Sequence, residues 1–309
     1  MVSTAVVFAY HNVGVRCLRA LLAHGVNVPL VITHIDQPTE NIWFESVAAL
    51  AHENNIRTIT PTDPNSEEII AEVSALKPDF IFSFYYRQML KPALLAAATR
   101  GAYNMHGSLL PKYRGRVPVN WAIIKGETET GATLHEMVEK PDAGRIAGQA
   151  RVDIGADDTA KYVFDKVTDA AEYVMNTVLP SLLDGSAKLL PQNLGLGSYF
   201  GGRRAEDGVI NWHDSAQNIH NLVRAVAPPY PGASTTINHE AVIITKTRMS
   251  PAHFQHQTPC ILNVANDMLV ALCGDGRMLR IVEATVDGMP HNEVMLAARF
   301  GVGRFTLPS

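Results

Sequence analysis

Asn104, His106 and Asp142 stand out in this chain by residue type and spacing. A strand over 102–106 puts the Asn104 and His106 side chains on one face, because side chains alternate along a strand. An amide donor and an imidazole on one surface can steady a developing oxyanion and carry a proton near neutral pH. A second strand, over 132–138, runs into the turn Pro141-Asp142-Ala143-Gly144. A carboxylate presented there can hydrogen-bond the imidazole, fix its tautomer and raise its pKa. Each piece alone also has a plainer reading. An isolated Asn-x-His can serve the backbone of the Gly- and Pro-containing loop that follows, and Pro-Asp-Ala-Gly is a common turn.

These residues need a scaffold, and the first half of the chain alternates strand and helix patterns. Short apolar runs predict strands at 5–10, 28–35, 57–60 and 80–86. Helical spacing predicts helices from Val15 to about Gly25, over 42–54 and over 67–76, the last ending before Pro78. The pattern predicts an α/β fold with a Rossmann-like, doubly wound, mostly parallel sheet. Such sheets bind ligands beyond the carboxyl ends of their strands, where strand order reverses. That directs attention to the residues after Tyr10, Tyr86 and Met105. A long helix is expected over 158–183, with Val163, Val167, Ala170, Val174 and Val178 on one face.

The stretch 191–208 reads as a linker rich in Gly, polar residues and Arg. Beyond it a helix is expected over 215–226, followed by strands at 235–237, 241–247, 261–264, 268–273 and 278–282. Asn266-Asp267 and Asp275-Gly276 read as turns between them. The expected organisation is a catalytic domain over 1–190, the linker, and a smaller β-rich, barrel-like (OB-like) domain over 209–309.

Composition narrows the partners. The 309 residues are 47% hydrophobic and 18% charged, which suits a packed protein and excludes a disordered one. The net charge of −4 lacks the basic surplus of a protein that grips nucleic acid through phosphates. Cys17, Cys260 and Cys273 form no Cys-x-x-Cys pair, so neither a zinc ribbon nor a disulfide framework is supported. His253 and His256 have metal-ligand spacing but no third ligand nearby, and no metal is expected. No apolar run is long enough to span a membrane, so a cytoplasmic protein without membrane insertion is expected.

Taken together, Asn104-Met105-His106, the following Ser108-Leu109-Leu110-Pro111-Lys112-Tyr113-Arg114-Gly115 and Asp142-Ala143-Gly144 resemble the folate-dependent formyltransferase family. The resemblance covers essentially the whole chain. It implies transfer of a formyl group from 10-formyltetrahydrofolate to an amine, with Asn104, His106 and Asp142 as the catalytic residues. Two branches fit the length: methionyl-tRNA formyltransferases, and enzymes that formylate a sugar-nucleotide amine. Val6-Val7-Phe8-Ala9-Tyr10-His11, Phe82-Ser83-Phe84-Tyr85-Tyr86-Arg87, Phe200-Gly201-Gly202-Arg203-Arg204 and Val223-Arg224-Ala225-Val226 resemble the second branch. There the implied acceptor is UDP-4-amino-4-deoxy-L-arabinose, on the way to modified lipid A; another nucleotide-linked amino sugar is the alternative. Relatives in that pathway are often fused to a decarboxylase, and this chain is expected to be the transferase alone.

By the same resemblance the amine attacks the formyl carbon, Asn104 and His106 stabilise the oxyanion, and Asp142 holds His106 and raises its pKa. The folate is expected along Gln88, Met89 and Leu90, near Arg116, and against Val138, Glu139, Lys140, Pro141 and Asp142. Met89 and Leu90 could equally be core residues at an element end. Tyr10, His11 and Arg114 are candidates for contact with the sugar nucleotide, while which of Arg114 and Arg116 serves which substrate is left open. His135 reads as a strand residue near the pocket, as suited to packing as to contact.

Overall fold

The computed structural model describes residues 2–38, 40–254, 258–264, 268–301 and 303–308. The chain folds as two compact units. One holds Met1–Pro118, Glu129–Asp153 and Phe164–Gly201; the other holds Val119–Thr128, Ile154–Val163 and Gly202–Ser309.

In chain order the first elements are β1 (Thr4–Ala9), α1 (His11–Ala23), β2 (Asn27–Ile32), α2 (Val47–Glu53), β3 (Arg57–Ile59), α3 (Glu67–Ala75), β4 (Phe80–Phe84), α4 (Pro92–Leu95) and β5 (Gly101–His106). There follow β6 (Arg114–Gly115), α5 (Pro118–Ile124), β7 (Glu129–Glu136), β8 (Ile146–Asp153), α6 (Ala160–Asp184) and β9 (Tyr199–Phe200). The large sheet runs β3-β2-β1-β4-β5-β7-β8. The strands from β3 to β5 are parallel, while β7 and β8 add antiparallel. Strand order reverses between β1 and β4, as a doubly wound sheet requires.

Local chemistry explains these elements. Every residue of β4 is buried, and so are all but the first of β1, because parallel strands carry helices on both faces. The Ser46 and Ser66 hydroxyls accept the amide N–H groups of Ala49 and Ile69 and so start α2 and α3. The helix expected from residue 42 therefore begins at Val47. Val6, Phe8, Leu30, Ile32, Ile81 and Leu94 form one side of the core. The expected face of α6 is buried at Val163, Val167, Ala170, Val174 and Val178.

The end of β2 is locked to the end of β4. The Arg87 N–H donates to His34 Nε2 at 3.1 Å, the His34 ring stacks on Tyr86, and the Arg87 guanidinium pairs with Glu40 and lies 4.5 Å over Tyr10. Burial, then the Arg87 cation, lower the pKa of His34 to about 4.

The second unit contains α7 (Ala216–Val226), β10 (Ala233–Ile237), β11 (Glu240–His253), β12 (Cys260–Val264), β13 (Met268–Leu272), β14 (Arg277–Val286), β15 (Met289–Asn292), α8 (Glu293–Phe300) and β16 (Arg304–Thr306). Its antiparallel sheet runs β10-β11-β14-β13-β12-β16, with β15 added to β14. Polar residues of α7 tie down the 155–158 backbone: Arg224 Nη1 donates to the Gly155 and Asp158 carbonyls, and His220 Nε2 to that of Ala156. Trp212 is fully buried and donates from Nε1 to Thr235 Oγ1 at 2.8 Å.

Helix α8 falls beyond the last expected strand, where no element was assigned. Its signal was present in Asn292, whose side chain accepts the Met295 N–H, and in the spacing of Leu296, Ala297 and Phe300. Strand β8 was also unforeseen, although exposed Gln149, Arg151 and Asp153 alternate with half-buried Ala150 and Val152 along it. The Asn266-Asp267 turn and His256 lie outside the described residues, and among those described no helix is long and apolar enough to cross a membrane.

Thr235→Val leaves the buried indole N–H of Trp212 without an acceptor. The expected loss is about 1–3 kcal/mol of stability, read as a lower urea midpoint, and an unchanged midpoint would reject this role for the hydroxyl. His34 supplies a pH test. Its folded pKa, about 4, lies below the ordinary 6.5, so the unfolded chain binds the proton more tightly. The stability it contributes is present above pH 6.5 and is lost as pH falls from 6.5 towards 4. His34→Gln, which can still accept the Arg87 N–H, should flatten the midpoint-versus-pH curve in that window.

Candidate active site

Strands β5 and β7 pair with Asn104 opposite His135 and His106 opposite Thr133. Directly opposed residues share a face, so these four side chains gather at the carboxyl end of β5. Met105 and Leu134 occupy the other face and are buried. The Asn-x-His spacing thus does what the alternation predicted, and the register adds Thr-x-His from the neighbouring strand.

Thr133 fixes the loop after β5. Its hydroxyl donates to the Ser108 carbonyl at 2.6 Å and accepts from Leu110 N–H and Gln149 Nε2. The loop then places the Tyr113 carbonyl 2.8 Å from His106 Nε2. The pairing of β6 with β9 holds this segment, with Tyr113 N–H donating to Ser198 Oγ and the Tyr113 ring stacked on Phe200. Residues 198–200, inside the stretch read as a linker, therefore brace the site.

Asp142 arrives from the turn after β7. Its φ of 51° is left-handed. Gly144, two residues on, lies where a Cβ would come within 2.0 Å of the Glu136 carbonyl oxygen, which explains the Asp-x-Gly pattern sterically. Gln192 Nε2 donates to the carbonyls of both Asp142 and Gly144. The Asp142 carboxylate accepts the Gly115 N–H on Oδ2 at 2.8 Å. Its Oδ1 lies 3.6 Å from His106 Nδ1 and 3.4 Å from His135 Nε2. The Asn104 amide nitrogen is 3.2 Å from the same His135 nitrogen.

Burial alone would raise the Asp142 carboxyl; His106, His135 and the Gly115 amide outweigh it and hold the group well below the usual carboxylate range. His106 corrects an expectation. Its pKa is lowered: burial is the largest influence, His135 lowers it further, and Asp142 raises it without prevailing. Its Nε2 carries a proton, because the Tyr113 carbonyl that it faces can only accept.

Other candidates fare differently. Tyr10 is buried, with its hydroxyl donating to Asp36. Gln88 donates to the Thr62 carbonyl, and Leu90 is packed in the core. Met89 and Val138 are exposed large apolar residues, and Glu139 and Lys140 are exposed beside half-buried Pro141. Arg116 is exposed and donates to the Arg87 carbonyl. His11 packs against Trp43, Phe44 and Phe164. Arg114 is only 8% exposed, its Nε has no partner, and no carboxylate among the described residues pairs with it. His135 is the residue the sequence reading left undecided; its signal, alternation with Thr133, becomes informative only once the β5–β7 register is known. Among the described residues no cluster suited to a metal ion occurs.

Two of the site's non-glycine residues, Tyr113 and Asp142, have left-handed backbone. Such conformations cost about 1–3 kcal/mol each and concentrate at functional sites.

Several solved structures share the fold. The N-formyltransferase from Helicobacter canadensis, in complex with folinic acid and dTDP-3-aminofucose, is 23% identical with a TM-score of 0.72, over 91% of this chain and 99% of that one. WlaRD, a sugar 3N-formyl transferase in the presence of dTDP and 5-N-formyl-THF, is 21% identical with a TM-score of 0.70, over 94% and 99%. HypX from Aquifex aeolicus is 17% identical with a TM-score of 0.64, over 98% of this chain but 49% of its own. The formyl transferase family profile matches residues 9–179, and the profile for the family's C-terminal domain matches residues 203–295. With the first match alone spanning more than half of the sequence, the chain belongs to the formyl transferase family.

Proposed function

We propose that this chain transfers the formyl group of 10-formyltetrahydrofolate to the 4-amino group of UDP-4-amino-4-deoxy-L-arabinose, in the pathway to aminoarabinose-modified lipid A. The observation that carries the reaction type is the convergence of Asn104, His106 and Asp142 at the end of β5 in a formyl transferase. A nucleotide-sugar acceptor is supported by the sugar-branch segments and by the net charge of −4, which disfavours a tRNA. The ligands named for the Helicobacter canadensis and WlaRD structures are of the same two chemical classes, a reduced folate and a nucleotide or nucleotide sugar.

When bound, the formyl folate supplies an activated one-carbon unit; the chain supplies orientation, charge stabilisation and proton transfer. The Asn104 amide donates to the formyl oxygen as negative charge grows there. His106, whose pKa burial lowers, accepts the proton of the attacking amine and passes it to the folate nitrogen as that nitrogen's bond to the formyl carbon breaks. Nε2 already holds a proton against the Tyr113 carbonyl, so the nitrogen that accepts is Nδ1, which faces Asp142. The Asp142 anion stabilises the imidazolium so formed. The exposed apolar surfaces of Met89 and Val138, with the 139–141 turn and Arg116, suit a planar folate. Gln88 and Leu90 serve the protein's own packing.

Arg114 takes an anionic group of one substrate. A guanidinium buried without a counter-ion is costly, and a phosphate or carboxylate relieves that cost.

Purified protein and 10-formyltetrahydrofolate, offered UDP-4-amino-4-deoxy-L-arabinose, a dTDP-linked 3-amino sugar and initiator methionyl-tRNA in separate tubes, should formylate the first, read by mass. Formylation of the dTDP sugar alone would move the acceptor to another nucleotide-linked amino sugar, and formylation of the tRNA alone would overturn the sugar reading. Asn104→Ala should lower kcat by about 10²–10³-fold. Arg114→Ala should raise KM for one substrate alone, sugar nucleotide or folate, and an unchanged KM for both would reject the anion role.

A further inference from the structure

The protons of the two imidazoles at Asp142 do not add up. His106 Nε2 faces the Tyr113 carbonyl and His135 Nδ1 faces the Glu136 carbonyl, each at 2.8 Å. A carbonyl only accepts, so each ring spends an N–H there. Two neutral rings would then turn bare lone pairs, on His106 Nδ1 and His135 Nε2, towards one carboxylate oxygen. The Gly115 N–H serves the other oxygen. Burial forbids water from relieving this: His106 is 6% and His135 1% exposed. A proton shared among the three groups, one more than two neutral imidazoles and a carboxylate carry, relieves this.

That proton is coupled to Asn104, whose amide nitrogen lies 3.2 Å from His135 Nε2. A bare Nε2 accepts the amide N–H and keeps the NH2 group turned to the ring. A protonated Nε2 donates instead, draws the amide oxygen towards itself and turns the NH2 group outward, the end a developing oxyanion needs. We propose that His135 is a positioning residue for formyl transfer, aiming the Asn104 amide through a proton it shares with Asp142 and His106. The charged or titratable groups acting on His106 are Asp142 and His135, and those acting on Asp142 are His106 and His135. The adjacent Glu136 carboxylate is occupied by Arg145.

The kinetic part of the test rests on the formyl-transfer reading; the spectroscopic part does not. Ring-nitrogen NMR titrations of the full chain would compare wild type, His135→Gln and His135→Phe. His106 should titrate at higher pH in both variants, because a like-charged neighbour is gone. In turnover, His135→Phe should lose about tenfold or more in kcat, with KM for both substrates little changed. His135→Gln, whose amide can bond both Asn104 and Asp142 without titrating, should recover most of kcat. Both variants should move the acid limb of the kcat profile to higher pH, which a packing role would not do. An unmoved His106 titration, or wild-type kcat in His135→Phe, would overturn the proposal. Should the Phe variant not fold, the titration and pH profile of the Gln variant decide it. Failure of wild type to formylate any amine would sink the functional reading and leave the titration to judge the proton-sharing.

Discussion

A carboxylate held as an anion inside protein is the constraint on which the carboxyl edge of the large sheet depends. Burying such a charge is tolerable only when donors meet it. Asp142 is met by the Gly115 amide on one oxygen and by two imidazoles on the other. Each of these partners needs its own support. Gly115 has φ 99° and lies where a Cβ would come within 2.1 Å of the Phe200 carbonyl oxygen, so the glycine is dictated by the β6–β9 pairing. The imidazoles depend on the β5–β7 register, and the turn that delivers Asp142 depends on Gly144 and Gln192. Segments far apart in sequence are thereby tied to one charge.

The same constraint explains where rigidity sits. Thr133 uses its one proton and two acceptor positions on Ser108, Leu110 and Gln149, which leaves the loop after β5 little freedom. Left-handed residues such as Tyr113 and Asp142 are held in place by hydrogen bonds on either side of them. Their cost is offset by the apolar strands beneath, where β1 and β4 are buried almost throughout. The chemistry is thus built on the ends of rigid elements, a condition for holding reacting groups to a fraction of an ångström.

Much of this was legible in the sequence, for reasons that can be named. Buried parallel strands read as continuous apolar runs, so the alternating first half gave away the sheet. Period-two alternation was enough to pair Asn104 with His106. His135 was not legible in the same way, because its role follows from which strand lies beside β5 and in which register. The direction of the His106 pKa was missed for a related reason. A carboxylate neighbour can be guessed from a motif, whereas burial, which outweighs it here, is a property of the folded chain. Tyr10 and Gln88 have the right chemistry for ligand contact, yet Asp36 and the Thr62 carbonyl already engage their polar groups.

That distinction between engaged and available polar groups bears on acceptor choice. On the proposed reading the Asn104, His106 and Asp142 cluster would handle a formyl oxygen and an amine proton, features common to any amine acceptor, so it would not by itself tell one amino sugar from another. HypX makes a related point: a fold like this one, covering 98% of the present chain, occupies 49% of its length, so the same scaffold serves within a larger protein. Discrimination has to come from groups outside the cluster that still have hydrogen-bonding capacity to offer. In the catalytic unit Arg114 meets that condition, with a buried side chain, an unpartnered Nε and a backbone fixed between the residues that hold His106 and Asp142. An anion bound there would be registered against the reacting groups through only one residue of chain on either side. Specificity for the charged part of a substrate and alignment of its amine would then be set by the same short strand.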